Sequence, residues 1–380
     1  MKKPKIAIVA DWLTTRGGAE SVVKSLARIF PDAPILTTIF VPDNFSKSFS
    51  ARVVAPTFLQ KLPKFLRKNH PFFLPFLPRA IEKINLENFD IVISSSSFVG
   101  KGVLTTATQF HACYCHTPTR YFWGEWQKYL RDFPIPPFLK RFLPPLLTKM
   151  RIWDFCAAAR PDFFFANSEF IRKQISKFYR RDAVVLPPPV DFEKFAAEKP
   201  AEKSDFFLFL GRLAPQKRVE LLIDAFRKMP EKKLVIAGAG RREKFLREKA
   251  LGLLNIEFRG FVPDAEVPRL LQSARALLFP QIEDAGITAL EALAAGTPVI
   301  AVKKGGAPTL LTAETAEFFA EQNPEKIIAA VKKFEKRTFE KEILQNHAKK
   351  FSRELFEQKI KKMIFAAFSD FQKKMTEKNF

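Results

Sequence analysis

Residues 280–308 read PQIEDAGITALEALAAGTPVIAVKKGGAP, and this stretch decides how the second half of the chain is expected to fold. The apolar residues that end at Pro280 predict a buried strand, and a loop with the carboxylates of Glu283 and Asp284 follows it. Next come good helix formers, a Gly and a Pro in the usual order of helix-ending signals, a short β-branched run and a Gly-Gly turn. This order is typical of a parallel α/β sheet, which binds ligands outside the carboxyl ends of its strands.

The spacing of the acidic residues in this stretch suggests a ligand site. Glu283 lies in the loop, and Glu291, eight positions later, lies in the first two turns of the helix, from which it can point toward the same crevice. The backbone N–H groups of Ala285, Gly286 and Ile287 lack partners within a helix that starts here, so they suit an anion. Carboxylates that accept hydrogen bonds from hydroxyl groups, next to N–H groups that donate hydrogen bonds to phosphate, fit a sugar nucleotide. An acidic first turn that merely complements the helix dipole is the alternative.

Length and composition set the outer limits. The chain has 380 residues, enough for two domains with sizeable cores, and it is 47% hydrophobic and 27% charged, as globular proteins are. Its net charge of +23 indicates an anionic partner or surface. Nucleic acid, acidic lipid and a phosphorylated substrate all remain compatible with that charge.

The cysteines and the N-terminal residues indicate the cellular compartment in which the protein is expected to fold. Three cysteines, Cys113, Cys115 and Cys156, make no disulfide framework; we expect them to be core residues of a protein in a reducing compartment. Their spacing with His116 fits no usual zinc site. Asp11 interrupts the first apolar run too early for a signal peptide, and no apolar run is long enough to predict a transmembrane helix.

Two features of the first half are candidate ligand contacts. Gly17 and Gly18 lie at a predicted strand-to-helix turn, where glycine lets the backbone approach a phosphate closely. A simple tight turn is the alternative. His116 follows a predicted strand, residues 112–114, and a His at the carboxyl end of a strand is well placed to contact substrate. It could equally pack beside its own loop.

Two further segments combine Phe, Leu and Pro with Lys and Arg. They span residues 58–84 and 126–151, and the first contains no acidic residue before Glu82. Such segments favour a surface that rests on an anionic membrane. The alternative is a Pro-broken helical layer that packs on its own domain.

The second half repeats the strand-loop-helix pattern. Arg212 and Lys217 lie in the loop after the predicted strand of residues 206–210, where a guanidinium and an ammonium group can converge on a diphosphate. Solvated charge is the alternative in so basic a chain. A Gly238-x-Gly240 pair begins a dinucleotide fingerprint, but Glu243 replaces its third glycine, which argues against a dehydrogenase.

Taken together, these motifs resemble those of the family 4 glycosyltransferases, over nearly the whole chain. The most specific are Arg212-x4-Lys217 and Glu283-x7-Glu291 in this order; the others are Gly17-Gly18-Ala19-Glu20, Cys115-His116-Thr-Pro-Thr-Arg, Gly238-x-Gly240 and Ala295-Gly-x-Pro-Val-Ile. The resemblance implies the α/β GT-B fold, two Rossmann-like doubly wound parallel-sheet domains that face across a cleft. It implies an acceptor-binding domain in residues 1–190, a nucleotide-sugar-binding domain in residues 200–351, and a helical segment, 352–380, that crosses back to the first.

The resemblance also implies roles for the residues of the second domain. Arg212 and Lys217 would grip the donor's diphosphate, Glu291 would accept hydrogen bonds from the ribose, and Glu283 would hold the transferred sugar. The loop amides that would assist Glu283 belong to Ala285, Gly286 and Ile287.

Three glycines and one histidine complete the implied site. Gly17 and Gly18 would bring the backbone of the first domain to the phosphate, Gly240 would line the donor site, and His116 would face the sugar near the reacting carbon. The family's retaining chemistry needs no metal or cofactor, and the chain has no Asp-x-Asp motif. The family usually has Phe where this chain has Ala285, so the identity of the donor stays open.

The expected function is therefore retaining transfer of a sugar to a glycan or lipid-linked glycan. The relatives that build lipid-linked glycans favour mannose from GDP-mannose. The expected partners are the nucleotide sugar, the acceptor and an anionic membrane, with no nucleic acid, at the cytoplasmic face. A GT-B epimerase or phosphorylase is a second enzymatic reading, which no residue favours. A non-catalytic basic protein that binds membranes or polyanions on the same scaffold remains the alternative from another class.

Overall fold

A computed structural model describes residues 3–15, 17–68, 70–124, 143–196 and 204–377. The chain divides into two compact units. The first unit comprises Met1–Leu186 together with Glu357–Phe380, and the second comprises Pro187–Phe356.

The first unit is built on a parallel sheet. Its strands are β1 (Ile6–Ala10), β2 (Ile35–Thr37), β3 (Val53–Val54), β4 (Ile91–Ser96), β5 (Phe110–Cys115), β6 (Phe163–Ala166) and β7 (Val184–Val185). They lie in the order β3-β2-β1-β4-β5-β6-β7, and every pairing between them is parallel. The order reverses direction between β1 and β4, which is the topological switch point of a doubly wound sheet.

Helices cover both faces of this sheet. The α-helices are α1 (Gly18–Ile29), α2 (Lys47–Ser50), α3 (Lys64–Lys68), α4 (Leu77–Ile81), α5 (Leu143–Ala157) and α6 (Glu169–Tyr179), and the 3-10 helices are Pro42–Asn44, Phe58–Lys61, His70–Phe76 and Gly100–Gly102. The central strands β4 and β5 are buried along their whole length. Burial along the whole strand is what a parallel sheet covered on both faces requires, and here it extends to the serines of β4 and to His111 on β5.

The second unit is also built on a doubly wound parallel sheet. Its strands are β8 (Phe206–Leu210), β9 (Lys233–Ala237), β10 (Ile256–Gly260), β11 (Ala276–Phe279), β12 (Val299–Val302) and β13 (Ala316–Phe319). They form a parallel sheet in the order β10-β9-β8-β11-β12-β13, with the switch point between β8 and β11. The predicted class, two doubly wound parallel-sheet domains, is confirmed.

The helices of the second unit follow the strands in alternation. They are α7 (Phe192–Phe195), α8 (Val219–Arg227), α9 (Glu243–Lys249), α10 (Val267–Ser273), α11 (Ile287–Ala294), α12 (Ala307–Leu310), α13 (Pro324–Phe334) and α14 (Lys341–Lys349), with a 3-10 helix at Pro215–Lys217. Helix α11 consists of small and apolar residues apart from Thr288 and Glu291, and Gly296 beyond its end has φ +75°. That left-handed conformation is the helix-ending geometry that glycine favours.

The last helix, α15 (Arg353–Glu377), begins in the second unit, and its residues from Glu357 onward belong to the first. There its apolar face packs on the first sheet's layers: Phe365 contacts Phe30 edge-on at 6.2 Å between ring centroids, and Phe368 lies 5.9 Å from Phe110. In the described part of the chain, no helix is long and apolar enough to cross a membrane.

The segment of residues 58–84 forms short helices, each broken near a proline. Leu59, Leu77 and Ile81 are buried in the core of the first unit, while Phe58 and Phe76 are exposed. The segment therefore packs on its own domain, and its described residues do not by themselves establish membrane contact. Of the segment 126–151, residues 126–142 lie outside the described part.

The cysteines divide between core and surface. Cys113 and Cys115 are buried on β5, as expected of core residues, and burial raises the pKa of Cys113 to about 12. Cys156 is instead exposed on α5, because its position in that helix faces away from the sheet.

Candidate active site

The predicted residues of the second unit gather at one edge of its sheet. The loop after β8 carries Arg212 and Lys217, and the loop after β11 carries Glu283 and leads into α11. Because β8 and β11 are neighbours on either side of the switch point, their two loops diverge from adjacent strand ends and leave a crevice between them.

Lys217 and Glu283 form a partly buried ion pair across these two loops. The Lys217 ammonium contacts Glu283 Oε1, and the two side chains are 18% and 25% exposed. Arg212, in the same loop as Lys217, is exposed. A phosphate group entering the crevice would therefore meet Arg212 directly and compete with Glu283 for Lys217.

The start of α11 supplies the backbone donors. Gly286 is the N-cap residue with φ +100°, and no side chain caps the helix. Within the described residues, the N–H groups of Ala285, Gly286 and Ile287 donate to no other protein group. These amides are left available to an anion or a sugar hydroxyl.

A glycine pair fixes the conformation of the acidic loop. The Gly306 N–H donates to Glu283 O at 2.7 Å. A Cβ at Gly305 would lie 2.6 Å from Glu283 O, and one at Gly306 would lie 2.3 Å from Asp284 O. Only glycine permits this close backbone approach, which holds the Glu283 loop against the loop after β12.

Glu291 lies in the second turn of α11, partly exposed beside the crevice. Burial raises the pKa of its carboxyl to about 7, with Lys194 opposing the shift and Asp264 adding to it. A carboxyl with this pKa is poised between its charged and neutral forms near neutrality. Perturbed carboxyls of this kind concentrate at functional sites.

Close packing between two loops explains why glycine is required at position 240. A Cβ at Gly240 would lie 2.3 Å from Leu213 O, and one at Gly238 would lie 1.9 Å from Gly211 O. The two glycines therefore let the loop after β9 pack directly on the loop that carries Arg212. A contact between Gly240 and a donor stays a prediction.

The predicted residues of the first unit lie at the carboxyl edge of the other sheet. Gly17 is the N-cap residue of α1 and Gly18 its first residue, just beyond β1. His116 follows β5 directly: its N–H donates to Ser96 O at 2.9 Å, and Asn167 Nδ2 donates to its carbonyl at 2.8 Å.

The His116 ring is buried and oriented by a serine. Its Nε2 and Ser95 Oγ are 2.8 Å apart and share a hydrogen bond, and the ring lies beside Tyr114. Burial lowers the pKa of His116 to about 4. The imidazole is therefore neutral at physiological pH, so it can exchange hydrogen bonds with a sugar but carries no charge.

Sequence reasoning missed the groups that hold this loop. Asp154, fully buried on α5, accepts hydrogen bonds from Lys101 Nζ at 2.6 Å, Thr119 Oγ1 at 2.7 Å and Trp123 Nε1 at 2.7 Å. A buried Lys-Asp pair is stabilised only by such additional hydrogen bonds. The serine run at the carboxyl end of β4 was a visible signal for Ser95; nothing in the sequence linked Asp154 to the His116 loop.

No cluster of three or more His, Cys, Asp or Glu side chains arranged to hold a metal ion occurs in the described ranges.

Two protein-family models match the chain, one over each half. The model described as Glycosyltransferase Family 4 matches residues 16–194. The model described as Glycosyl transferases group 1 matches residues 190–354, which include every predicted residue of the second unit.

Among curated proteins, the chain is 35% identical over 169 residues to an uncharacterized glycosyltransferase of Methanocaldococcus jannaschii, covering 42% of this chain and 43% of that protein. It is 30% identical over 215 residues to a GDP-mannose-dependent α-(1-6)-phosphatidylinositol dimannoside mannosyltransferase of Mycobacterium tuberculosis, covering 51% and 56%. The chain thus spans about half the length of these relatives.

A solved structure of a lipopolysaccharide outer core galactosyltransferase, in its apo form, shares the fold. The TM-score is 0.66 at 19% identity, over 95% of this chain and 99% of that one.

Proposed function

The chain belongs to the family 4, group 1 glycosyltransferases, and on that premise we propose that it moves a sugar from a nucleoside-diphosphate sugar to a hydroxyl of a glycan or lipid-linked glycan. The observation that carries the proposal is the crevice between the loops after β8 and β11. There Lys217 pairs with Glu283 close in sequence to the uncapped start of α11, Arg212 is exposed in the loop of Lys217, and Glu291 lies partly exposed in the second turn of α11.

The reaction breaks the bond between the anomeric carbon and a diphosphate oxygen, and negative charge builds on that leaving oxygen. Arg212 and Lys217 stabilise this charge in the transition state as fixed cations. The Glu283 carboxylate, released from Lys217 by the diphosphate, accepts hydrogen bonds from the sugar's hydroxyls. Glu291 accepts hydrogen bonds from the ribose.

Transfer with retention places the acceptor hydroxyl on the same face of the sugar as the leaving diphosphate. The acceptor oxygen bonds to the anomeric carbon, and its proton passes to the leaving diphosphate oxygen, so no protein base is needed. Neutral His116 exchanges a hydrogen bond with the sugar near the reacting carbon. The scheme uses neither a metal nor a cofactor.

GDP-mannose is the preferred donor. Its support is the name of the mycobacterial relative, which is GDP-mannose-dependent. Ala285, in place of the usual Phe, leaves a smaller side chain next to the amides that hold the sugar, so the donor must be tested directly.

Peripheral association with an anionic membrane at the cytoplasmic face is part of the proposal. Its support is the net charge of +23 and the outer face of α5, where Ile152 and Phe155 are 61% and 44% exposed and Lys149 is exposed as well. Apolar groups among cations suit the boundary between headgroups and acyl chains.

Thermal melting with GDP, UDP and ADP tests the nucleotide site. A nucleotide at 100 times its Kd adds about 2.7 kcal/mol to the free energy of unfolding, which corresponds to a Tm shift on the order of 5 °C. We expect one nucleotide to shift the wild type and not Lys217→Ala. Lys228→Ala is the matched control, because Lys228 also forms an ion pair, with Glu325, but far from the crevice.

The alternative, a non-catalytic basic protein, predicts the reverse pattern. No nucleotide would then shift the Tm, while anionic vesicles would bind in a salt-sensitive way that survives Glu291→Ala.

A further inference from the structure

A small cavity with both polar and apolar lining lies at the switch point of the first unit, outside the carboxyl ends of β1 and β4. Its volume is about 40 Å³, enough for a water molecule or a hydroxyl group. Asp11, Trp12, Glu20, Ser95 and Ser97 contribute to its lining. The position is the one at which open α/β sheets bind ligands.

Asp11 lines this cavity, and each of its carboxylate oxygens already accepts two hydrogen bonds. Its Oδ1 accepts from Ser96 Oγ at 3.0 Å and from Gly100 N at 2.5 Å. Its Oδ2 accepts from the N–H groups of Ser97 at 2.5 Å and Phe98 at 3.0 Å. Asp11 therefore fixes the loop after β4 and is fully occupied in doing so.

Glu20, unlike Asp11, accepts no hydrogen bond from another residue in the described part of the chain. Its side chain is only 8% exposed and lines the cavity. Among the described residues, it has no recorded hydrogen-bond partner except its own backbone N–H. A Cβ at Gly17 would lie 3.0 Å from Glu20 Oε2, so the carboxyl rests directly against the predicted glycine pair. Burial raises its pKa, and the opposing effects of its own backbone N–H and of the Lys24 charge do not cancel that shift.

The opposite wall leads to the candidate active site. Ser95 lines the cavity, and its Oγ shares the hydrogen bond with His116 Nε2. Only the Ser95 side chain would therefore separate a group bound beside Glu20 from His116, the histidine that is proposed to face the sugar.

We propose that Glu20 binds a hydroxyl group of the sugar acceptor in this cavity. The inference rests on the proposed function, because it needs a sugar to be transferred. A buried carboxyl has room for several hydrogen bonds, and Glu20 accepts only that of its own backbone N–H among the described residues, so a hydroxyl could supply the donor that is missing. A phosphate would be repelled by the carboxyl. A calcium ion would need six or more oxygen ligands, and the oxygens of Asp11 are already taken.

The ratio of transfer to hydrolysis tests this role. The probe is the radiolabelled nucleotide sugar whose nucleotide shifts the Tm, mixed with the lipid and aqueous fractions of a cell extract as acceptors. Transfer is counted in the fractions, and hydrolysis is counted as free sugar. We expect Glu20→Gln to lower the ratio at least tenfold, with an unchanged nucleotide Tm shift. Glu20→Asp, which keeps the charge on a shorter side chain, should lie in between.

Glu169→Gln is the control, since Glu169 also lies in the first turn of a helix but its side chain is 51% exposed. A ratio equal to the wild type's in Glu20→Gln, or transfer and hydrolysis that fall together, would overturn the inference and leave the proposed function standing. If no nucleotide shifts the wild type, the proposed function fails, and this inference fails with it.

Discussion

Ionisation of Glu291 is expected to favour nucleotide binding and to lower the stability of the fold. An unfolded glutamate titrates near 4.3, while burial raises the pKa of Glu291 in the fold to about 7. Between these values the folded chain holds a proton that the unfolded chain has lost. The free energy of unfolding therefore falls as the pH rises through this window.

Glu291→Gln should remove that penalty. We expect the variant to melt above the wild type at about pH 8 and close to it at about pH 4, because glutamine cannot ionise. Calorimetry at the two pH values checks the sign. An equal difference in Tm at both would show that Glu291 does not titrate in this window.

The same carboxyl predicts how nucleotide affinity depends on pH. The ionised form accepts ribose hydroxyls, so the affinity for the nucleotide should rise from about pH 6 to about pH 8, through the pKa of about 7. Glu291→Gln should bind more weakly and lose the dependence, as titration calorimetry can show. A slope that persists in the variant would point to another titrating group.

At the residue scale, the sequence indicated that the loops of Lys217 and Glu283 lie at one edge of the sheet, where the two side chains pair, but it did not indicate the groups that support the His116 loop; the binding roles stay predictions. Lys217 and Glu283 were identified because their spacing from strand ends is a local property. Asp154 and Ser95 act through contacts with residues far away in the chain, and a single sequence carries no record of such contacts. Glu20 stood within a recognised motif, but its burial and lack of partners required the structure.

Among the elements, the loops after β8 and β9 depend on a contact that only glycine permits. Gly240→Ala would place a methyl group 2.3 Å from Leu213 O, so the loop that carries Arg212 must shift. We expect a loss of more than about 2 kcal/mol of stability, and weaker nucleotide binding. Gly252→Ala is the control: its Cβ meets no atom within 4 Å, and its φ of +79° costs only about 1 kcal/mol. Denaturant unfolding compares the two.

The helix α15 makes a second prediction at this scale. Ile364 is fully buried in the first unit, so Ile364→Ala should cost about 2–5 kcal/mol. Lys362→Ala, on the exposed face of the same helix, should be nearly neutral. Hydrogen exchange at β1 and β5 would show whether the loss falls on the first sheet, and equal effects of the two substitutions would contradict the packing.

Element types were predictable where one periodicity governed the segment. The apolar strands and α11 followed from local patterns and helix-ending signals. The short helices of residues 58–84 did not follow from such patterns, because helices broken at prolines bury their side chains at no regular spacing. The basic and apolar mixture was visible there, but which of its side chains face the core depends on the sheet beneath.

Over the whole molecule, the net charge of +23 predicts that the proposed membrane binding depends on long-range electrostatic attraction. We expect cosedimentation with phosphatidylglycerol vesicles at about 0.05 M salt and little at about 0.5 M, because salt screens the charges. Ile152→Asp with Phe155→Asp should reduce binding at low salt further than Leu251→Asp with Leu254→Asp does, because both pairs add two negative charges at exposed apolar residues but only the first lies on the outer face of α5. Equal binding to uncharged phosphatidylcholine vesicles would contradict the electrostatic account.

The return of α15 to the first unit has a consequence for biosynthesis. A ribosome must make the whole second unit between the residues up to Leu186 and those from Glu357 onward. At ~5–20 residues per second, the first sheet waits roughly 10–30 s for its last helix. During that interval Phe30 and Phe110 lack the aromatic partners that cover them in the finished protein. The nascent chain is therefore an expected client of ribosome-associated chaperones.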